Sequence, residues 1–111
     1  PGLRVHLVRY EDMQADPIAT FTAVVRFCGL DDDPVRIAKA VDFSRFERVQ
    51  AQEMAHGYGG KSEQATSFFR KGAVGSWQEE LSEEMVARLI RDHGEVMGRF
   101  GYLTKDERSV F

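Results

Sequence analysis

The hydrophobic and polar positions along the chain predict one strand at the start and about four helices after it. In the opening stretch LRVHLVRY, Val5, Leu7 and Val8 crowd together, a pattern typical of a strand buried on both faces. Such a strand needs neighbours for its backbone N–H and C=O groups, and no second strand is evident in the sequence. Either it pairs with a second copy of the chain, or its sheet lies in polypeptide outside these residues, which is the interpretation we favour. The predicted fold class is α/β, mostly helical with one strand.

Two aspartate–proline pairs mark the starts of the first two helices. Asp is a favoured N-cap residue and Pro suits the first helical position, so Asp16-Pro17 and Asp33-Pro34 predict helix N-termini. After the first pair, apolar residues repeat at helical spacing as far as Gly29, which is placed to end that helix.

Other capping signals delimit the later helices. Ser44 and Glu47 have the spacing of a capping box, which predicts a third helix over RFERVQAQEM. Ser82 is expected to cap the last helix and Gly101 to end it. The expected inner stripe of that helix comprises Met85, Val86, Leu89, Ile90, His93, Met97 and Phe100.

Between residues 55 and 81 the helical pattern fails, and the stretch HGYGGKSEQATS predicts a mobile loop leading into SFFRKGAVGSW. The planar fork of Arg70 matches phosphate oxygens at two points, and Lys71 adds a compact second charge. Gly72 lets backbone N–H groups approach an anion closely, while Phe68 and Phe69 lower the local dielectric and could lie against a planar base. These residues suit a phosphorylated aromatic ligand, but a solvated Arg-Lys pair beside two core anchors remains the alternative on local chemistry alone.

Composition and charge narrow the classes of function. The chain has 111 residues, enough for one small domain, and its net charge of -3 argues against broad nucleic-acid binding, which needs a basic face. No apolar run approaches the ~20 residues of a membrane span, and no signal peptide is expected. The single cysteine, Cys28, is expected to be a buried apolar residue in a cytoplasmic protein. Because the chain opens without methionine, we expect it to begin inside a longer protein.

No metal site or acid–base pair is expected. The histidines lack metal-ligand spacing with one another or with the cysteine, and we expect His6 and His93 to be core residues and His56 to be solvated. Glu11-Asp12 is expected to cap the following turn rather than to act as a catalytic dyad. Trp77 is expected to anchor its loop by packing.

Several segments, in the right order, resemble the sulfotransferases that use 3′-phosphoadenosine 5′-phosphosulfate (PAPS), in their bacterial type. FFRKGAVGSWQEELS is similar to the family segment F-x-R-K-G-x-x-G-D-W-K-x-x-x-T, and HLVRYEDM to the strand ending in Y-E-D-L or Y-E-D-M. DPIATFTAVVRFCGL resembles the D-P-x₆-I-x-x-F-L-G helix, and FSRFERV the T-S-F-x-x-M segment. The resemblance implies a three-layer, P-loop nucleotide-kinase-like fold in which residues 1–111 form the C-terminal part of a single domain, its N-terminal part being absent.

The resemblance also assigns residues to the cofactor, PAPS or its product 3′-phosphoadenosine 5′-phosphate (PAP). These are Tyr10, Ser44 and Phe46 at the adenine end, and Phe68, Phe69, Arg70, Lys71 and Gly72 at the 3′-phosphate. The sequence departs from the family at Arg45 and Ser76, where Ser and Asp are usual. The dimerisation motif of many animal members is poorly matched, so the oligomeric state stays open.

The implied reaction is transfer of a sulfuryl group from PAPS to a hydroxyl or amine of a small-molecule acceptor, which the sequence does not identify. The family's histidine base and its loop at the 5′-phosphosulfate have no counterpart in the chain, so residues 1–111 alone are expected to be inactive. Two alternatives remain: a fragment of a kinase-like nucleotide-binding enzyme, and a non-enzymatic helical interaction module in which Arg70 and Lys71 bind an acidic partner or nothing.

Overall fold

The structure, a computed structural model, describes residues 2–104, and the prediction of a mostly helical chain is confirmed there. The helices are α1 (Tyr10–Ala15), α2 (Pro17–Phe27), α3 (Pro34–Phe43), α4 (Phe46–His56), α5 (Trp77–Glu80) and α6 (Glu83–Arg99). The chain divides into two compact units between Gly72 and Ala73, so α1 to α4 belong to the first unit and α5 and α6 to the second. Within the first unit, α2 packs against both α1 and α3.

The predicted aspartate caps are confirmed. The Asp16 carboxylate accepts the backbone N–H of Ala19 at 3.0 Å, and the Asp33 carboxylate accepts that of Arg36 at 2.8 Å. A proline occupies the first turn of each of these helices. Gly29, with φ of +70°, follows the C-cap of α2 in the left-handed conformation that glycine adopts without strain.

The caps of the last helix are also confirmed. Ser82 precedes α6, and its hydroxyl accepts the backbone N–H of Met85 at 3.3 Å. Gly101 has φ of +79°, and the N–H of Tyr102 donates to the carbonyl of Met97 at 2.8 Å, as in a Schellman motif.

The predicted capping box is wrong. Ser44 ends α3, where its N–H donates to the carbonyl of Ala40 at 3.1 Å, and α4 begins after Arg45. Only two residues separate the helices, so Ser44 is held at φ -92° and ψ 4° by α3 and lacks the extended backbone that an N-cap residue needs.

The predicted opening strand is wrong as well, since no strand forms among residues 2–104. Residues 2–9 have no regular structure, and Leu3 and Val5 are 93% and 82% exposed. No described strand runs beside this segment to pair its backbone. Instead the ring of His6 stacks on Phe27 with centroids 5.2 Å apart, and the Arg4 guanidinium lies 5.0 Å from the same centroid. His6 is therefore an exposed residue that stacks on Phe27 of α2, not the core residue that we predicted.

Few apolar side chains in the described range are buried. Val25 of α2 and Ile37 of α3 are the buried ones, at 8% and 4% exposure. Cys28, predicted to be buried, is exposed at the C-cap of α2.

The predicted inner stripe of α6 is only partly covered. Val86 and Ile90 are half-buried, whereas Met85, Leu89 and His93 are exposed and no residue of the helix is fully buried. The helix has an apolar face, but little of the second unit packs against it. None of the helices within residues 2–104 is both long and apolar enough to cross a lipid bilayer.

Candidate functional site

One face of α4 holds the segment from Ser67 to Gly72, and this segment includes the Arg-Lys-Gly sequence. Phe46, Gln50 and Glu53 are spaced four and three residues apart, which puts them on the same side of the helix. The segment runs against the helix direction, because its start contacts Glu53 and its end contacts Phe46. The helix therefore fixes both ends of the segment.

Glu53 is the most strongly bonded residue of this site. Its side chain is buried, with 8% exposure, and its carboxylate oxygens accept the backbone N–H groups of Phe68 at 2.6 Å and Phe69 at 2.9 Å. The Ser67 hydroxyl donates to the same carboxylate at 3.0 Å. A carboxylate that receives several donors can remain charged inside a protein, and it organises the backbone that supplies them.

Two further contacts continue along the same helix face. The Gln50 side-chain amide donates to the carbonyl of Phe69 at 2.9 Å. The Phe46 ring packs directly against Gly72, so closely that a Cβ at position 72 would lie 2.7 Å from the ring atom Cε2. Gly72 has φ of +60°, so both its backbone and its surroundings favour glycine.

An aromatic cluster lies on the loop beside this segment. The centroids of Tyr58 and Phe68 are 4.5 Å apart, and those of Phe68 and Phe69 are 5.0 Å apart. Tyr58 and Phe68 remain 43% and 51% exposed. Together with Tyr58, the two phenylalanines therefore form an apolar surface on this loop, and their predicted place against a planar base stays a prediction.

The structure brings together six of the eight residues assigned to the cofactor by resemblance. Phe46 packs against Gly72, and Phe68 contacts Phe69. Arg70 and Lys71 join these two pairs in the chain. The side chains of Arg70 and Lys71 are exposed.

The remaining two assigned residues lie on other elements of the first unit. Tyr10 is the first residue of α1, and Ser44 is the C-cap of α3.

Glu11 and Asp12 stand in the first turn of α1, and the Asp12 carboxylate pairs with Arg9 through two hydrogen bonds of 2.8 Å. This pairing, rather than capping of a following turn, is the role of Asp12.

Two cations beside backbone that is already fixed make a suitable anion site. Arg70 and Lys71 lie between the bonded residue Phe69 and the packed residue Gly72, so their backbone has little freedom left to lose when an anion binds. A guanidinium fork matches the oxygens of a phosphate or a carboxylate at two points, and the adjacent ammonium adds a second positive charge.

Glu53, Gln50 and Tyr58 were not identified from the sequence. The sequence does place Gln50 and Glu53 on the same helical face as Phe46. A polar side chain that is buried on such a face needs a hydrogen-bond partner, and this was the one signal that could have identified them. Their partners are backbone groups of residues 67–69, and no sequence pattern predicts which backbone groups a side chain will bind.

The hydrogen bonds to Glu53 make its charge a stability determinant. The backbone N–H groups of Phe68 and Phe69 hold the pKa of the Glu53 carboxyl below its ordinary value of 4.5, the Ser67 hydroxyl and the Lys61 ammonium lower it further, and desolvation opposes them. Because the folded-state pKa is depressed, this group contributes stability that is fully present above 4.5 and is lost as pH falls through the folded value.

We therefore expect acid to destabilise the wild type more steeply than Glu53→Gln. The urea midpoint of the wild type should fall between pH 7 and pH 3, and Asp12 and Asp32, whose pKa values are also lowered by their arginine partners, contribute to that fall. The difference in urea midpoint between the wild type and Glu53→Gln reports on Glu53 alone. Because acid protonates Glu53 and removes its charge, the two midpoints should converge at low pH. Glu47 is an exposed residue of the same helix, so Glu47→Gln is the control. Its urea midpoint should change with pH as that of the wild type does. If the urea midpoints of the wild type and Glu53→Gln fell in parallel as the pH was lowered, the charge of Glu53 would not be what stabilises the fold.

Comparison with known proteins identifies the family. The family described as "sulfotransferase domain" matches residues 2–101. Cytosolic sulfotransferase 17 of Arabidopsis thaliana is 29% identical, with 78% of this chain aligned to 28% of that protein. Flavonol 3-sulfotransferase of Flaveria bidentis is 26% identical, with 88% of this chain aligned to 35% of that protein. Cytosolic sulfotransferase 16 of Arabidopsis thaliana is 29% identical over the same shares as its paralogue.

The chain thus spans about a third of the length of these relatives. All three are plant proteins, and the bacterial type that we predicted stays a prediction. No solved structure matches the chain significantly. Since the family match extends over nearly every residue that the structure describes, the chain belongs to the sulfotransferase family.

Proposed function

We propose that this chain supplies the adenine and 3′-phosphate contacts of a PAPS-dependent sulfotransferase. In this proposal Arg70 and Lys71 bind the 3′-phosphate oxygens and the backbone at Gly72 approaches the same group. PAPS supplies the activated sulfuryl group when it is bound. The acceptor is a small molecule with a hydroxyl or an amine.

The contact between Phe46 and Gly72 is the observation that supports this proposal best. By resemblance Phe46 belongs beside the adenine base and Gly72 at the 3′-phosphate, two groups that one ribose holds a few bonds apart. Residues 46 and 72 are far apart in sequence, and their packing is what a site for 3′-phosphoadenosine requires. The two exposed cations adjoin this contact.

The chain's part in catalysis is positioning. Sulfuryl transfer, like phosphoryl transfer, depends largely on alignment of donor and acceptor and on stabilisation of spread negative charge. Holding the adenosine end through Arg70, Lys71 and Phe46 orients the 5′ end toward the rest of the domain. The exposed apolar residues at the start of the chain, such as Leu3 and Val5, suit cover by the N-terminal part of that domain. We propose a cytoplasmic location by analogy with relatives that are named cytosolic.

Calorimetric titration of the complete natural polypeptide with PAP and with AMP tests the proposal. We expect PAP to bind about 100-fold more tightly, because the 3′-phosphate adds charge-assisted hydrogen bonds that AMP cannot make. A preference for ATP over PAP would support the kinase-like alternative. No nucleotide binding by the folded protein would support the interaction module. Transfer of labelled sulfuryl from PAPS to a panel of alcohols, phenols and amines would then identify the acceptor class.

A further inference from the structure

We infer that Glu53 and Gln50 are positioning residues for the cofactor's 3′-phosphate. They hold the backbone of residues 67–69, so that the adjoining Arg70, Lys71 and Gly72 are presented to the phosphate in one geometry. This inference rests on the proposed function and adds to it two residues that touch no ligand themselves.

The helix α4 and the segment 67–72 form a two-point support. Along the helix, Glu53 lies seven positions after Phe46, a separation of roughly 10 Å. The Glu53 end fixes Phe68 and Phe69 by hydrogen bonds, and the Phe46 end fixes Gly72 by packing. Arg70 and Lys71 are the only residues between these supports. Their backbone is therefore ordered before any ligand arrives, which reduces the entropic cost of binding.

The carboxylate of Glu53 is required because three donors converge on it. Two backbone N–H groups and the Ser67 hydroxyl all donate to its oxygens, at 2.6 Å, 2.9 Å and 3.0 Å. A glutamine at position 53 has the same size but only one acceptor oxygen, and its NH₂ group would face donors.

Glu53→Gln in the complete polypeptide is the first test. We expect PAP binding to weaken by about tenfold to 100-fold, because displaced Arg70 and Lys71 side chains lose charge-assisted hydrogen bonds to the phosphate, each contributing about tenfold or more in affinity. AMP binding, which lacks the 3′-phosphate, should change by less than about threefold, so the ratio of the two affinities should fall. The matched control Glu47→Gln removes a charge from an exposed position of the same helix and should leave both affinities unchanged.

A double mutant separates positioning from general damage to the fold. If Glu53 acts partly through Arg70, then Glu53→Gln should weaken PAP binding several-fold less in Arg70→Ala than in the wild type, since only Lys71 and Gly72 remain for Glu53 to position. Full additivity of the two changes would overturn the inference. Should Glu53→Gln fail to fold, Gln50→Ala serves instead: it removes the hydrogen bond to the Phe69 carbonyl and should weaken PAP binding several-fold, again coupled to Arg70.

The results also distinguish this inference from the proposed function. A wild type that binds PAP no more tightly than AMP overturns the proposed function, and the inference with it. A wild type that prefers PAP, with Arg70→Ala abolishing the preference and Glu53→Gln and Gln50→Ala preserving it, overturns only the inference.

Discussion

Alanine in place of Arg70 is expected to weaken PAP binding by about 10- to 100-fold and to leave AMP binding nearly unchanged. A hydrogen-bonded pair of charged groups contributes about 1.5–3 kcal/mol net, and each 1.4 kcal/mol is about tenfold in affinity. Arg70 suits this role because the backbone before it is bonded to Glu53 and its guanidinium can contact two phosphate oxygens at once. In a calorimetric titration, the loss should be confined to ligands with a 3′-phosphate.

Arg70→Lys separates charge from geometry. A lysine keeps the positive charge but lacks the planar fork, so it should recover only part of the PAP affinity. Arg36→Ala is the matched control in the same unit, because Arg36 is also exposed and its pairing with Asp31 is long, at 3.8 Å. Equal losses for PAP and AMP in Arg70→Ala would mean that the residue supports the fold or the base site rather than the 3′-phosphate.

The local signals in this sequence predicted local structure well. Asp16, Asp33 and Ser82 cap the helices that follow them, and Gly29 and Gly101 adopt positive φ just beyond helix ends. Each signal depends on groups within about four residues, so the chain needs no distant partner to obey it. The capping box failed where two local rules competed, since α3 reaches Phe43 and leaves Ser44 in its own last turn.

The opening strand shows the limit of local pattern. Its apolar residues are typical of a buried strand, but a strand needs another strand, and none lies in residues 2–104. The same limit explains the uncovered face of α6, where Met85 and Leu89 are exposed. Hydrophobic periodicity predicts which face would be buried and says nothing of what buries it.

The sequence predicted the cations and the glycine of the candidate site, but it did not predict the helix residues Glu53 and Gln50 that hold their segment in place. Arg70, Lys71 and Gly72 are adjacent in sequence and carry recognisable chemistry. Glu53 looked like an ordinary helix residue, because the groups that it binds are backbone N–H groups about fifteen residues away. Backbone donors have no sequence signature, so a side chain that organises them is visible only in the folded chain.

Gly72→Ala is expected to destabilise the chain by about 2–5 kcal/mol and to abolish most of the preference for PAP. An L-residue at φ of +60° costs roughly 1–2 kcal/mol. Forcing a methyl group against a packed ring adds about 1–3 kcal/mol, and the new Cβ would lie 2.7 Å from both Cε2 and Cγ of Phe46. Either the ring or the segment must move, and Lys71 moves with it. The urea midpoint measures the loss of stability, and titration with PAP and AMP measures the loss of preference.

Gly75→Ala separates backbone strain at positive φ from the steric clash with Phe46. Gly75 also has positive φ, at +79°, but nothing lies within 4 Å of a Cβ built there, so alanine should cost only the backbone term of roughly 1–2 kcal/mol. The steric term can be tested by adding Phe46→Ala to Gly72→Ala. With the ring removed, the methyl group has room, and the two substitutions together should cost about 1–3 kcal/mol less than the sum of their separate effects. Equal costs for the two glycine variants, with additivity in the double mutant, would show that Phe46 does not support Gly72, and the contact on which the proposed site depends would lose its energetic basis.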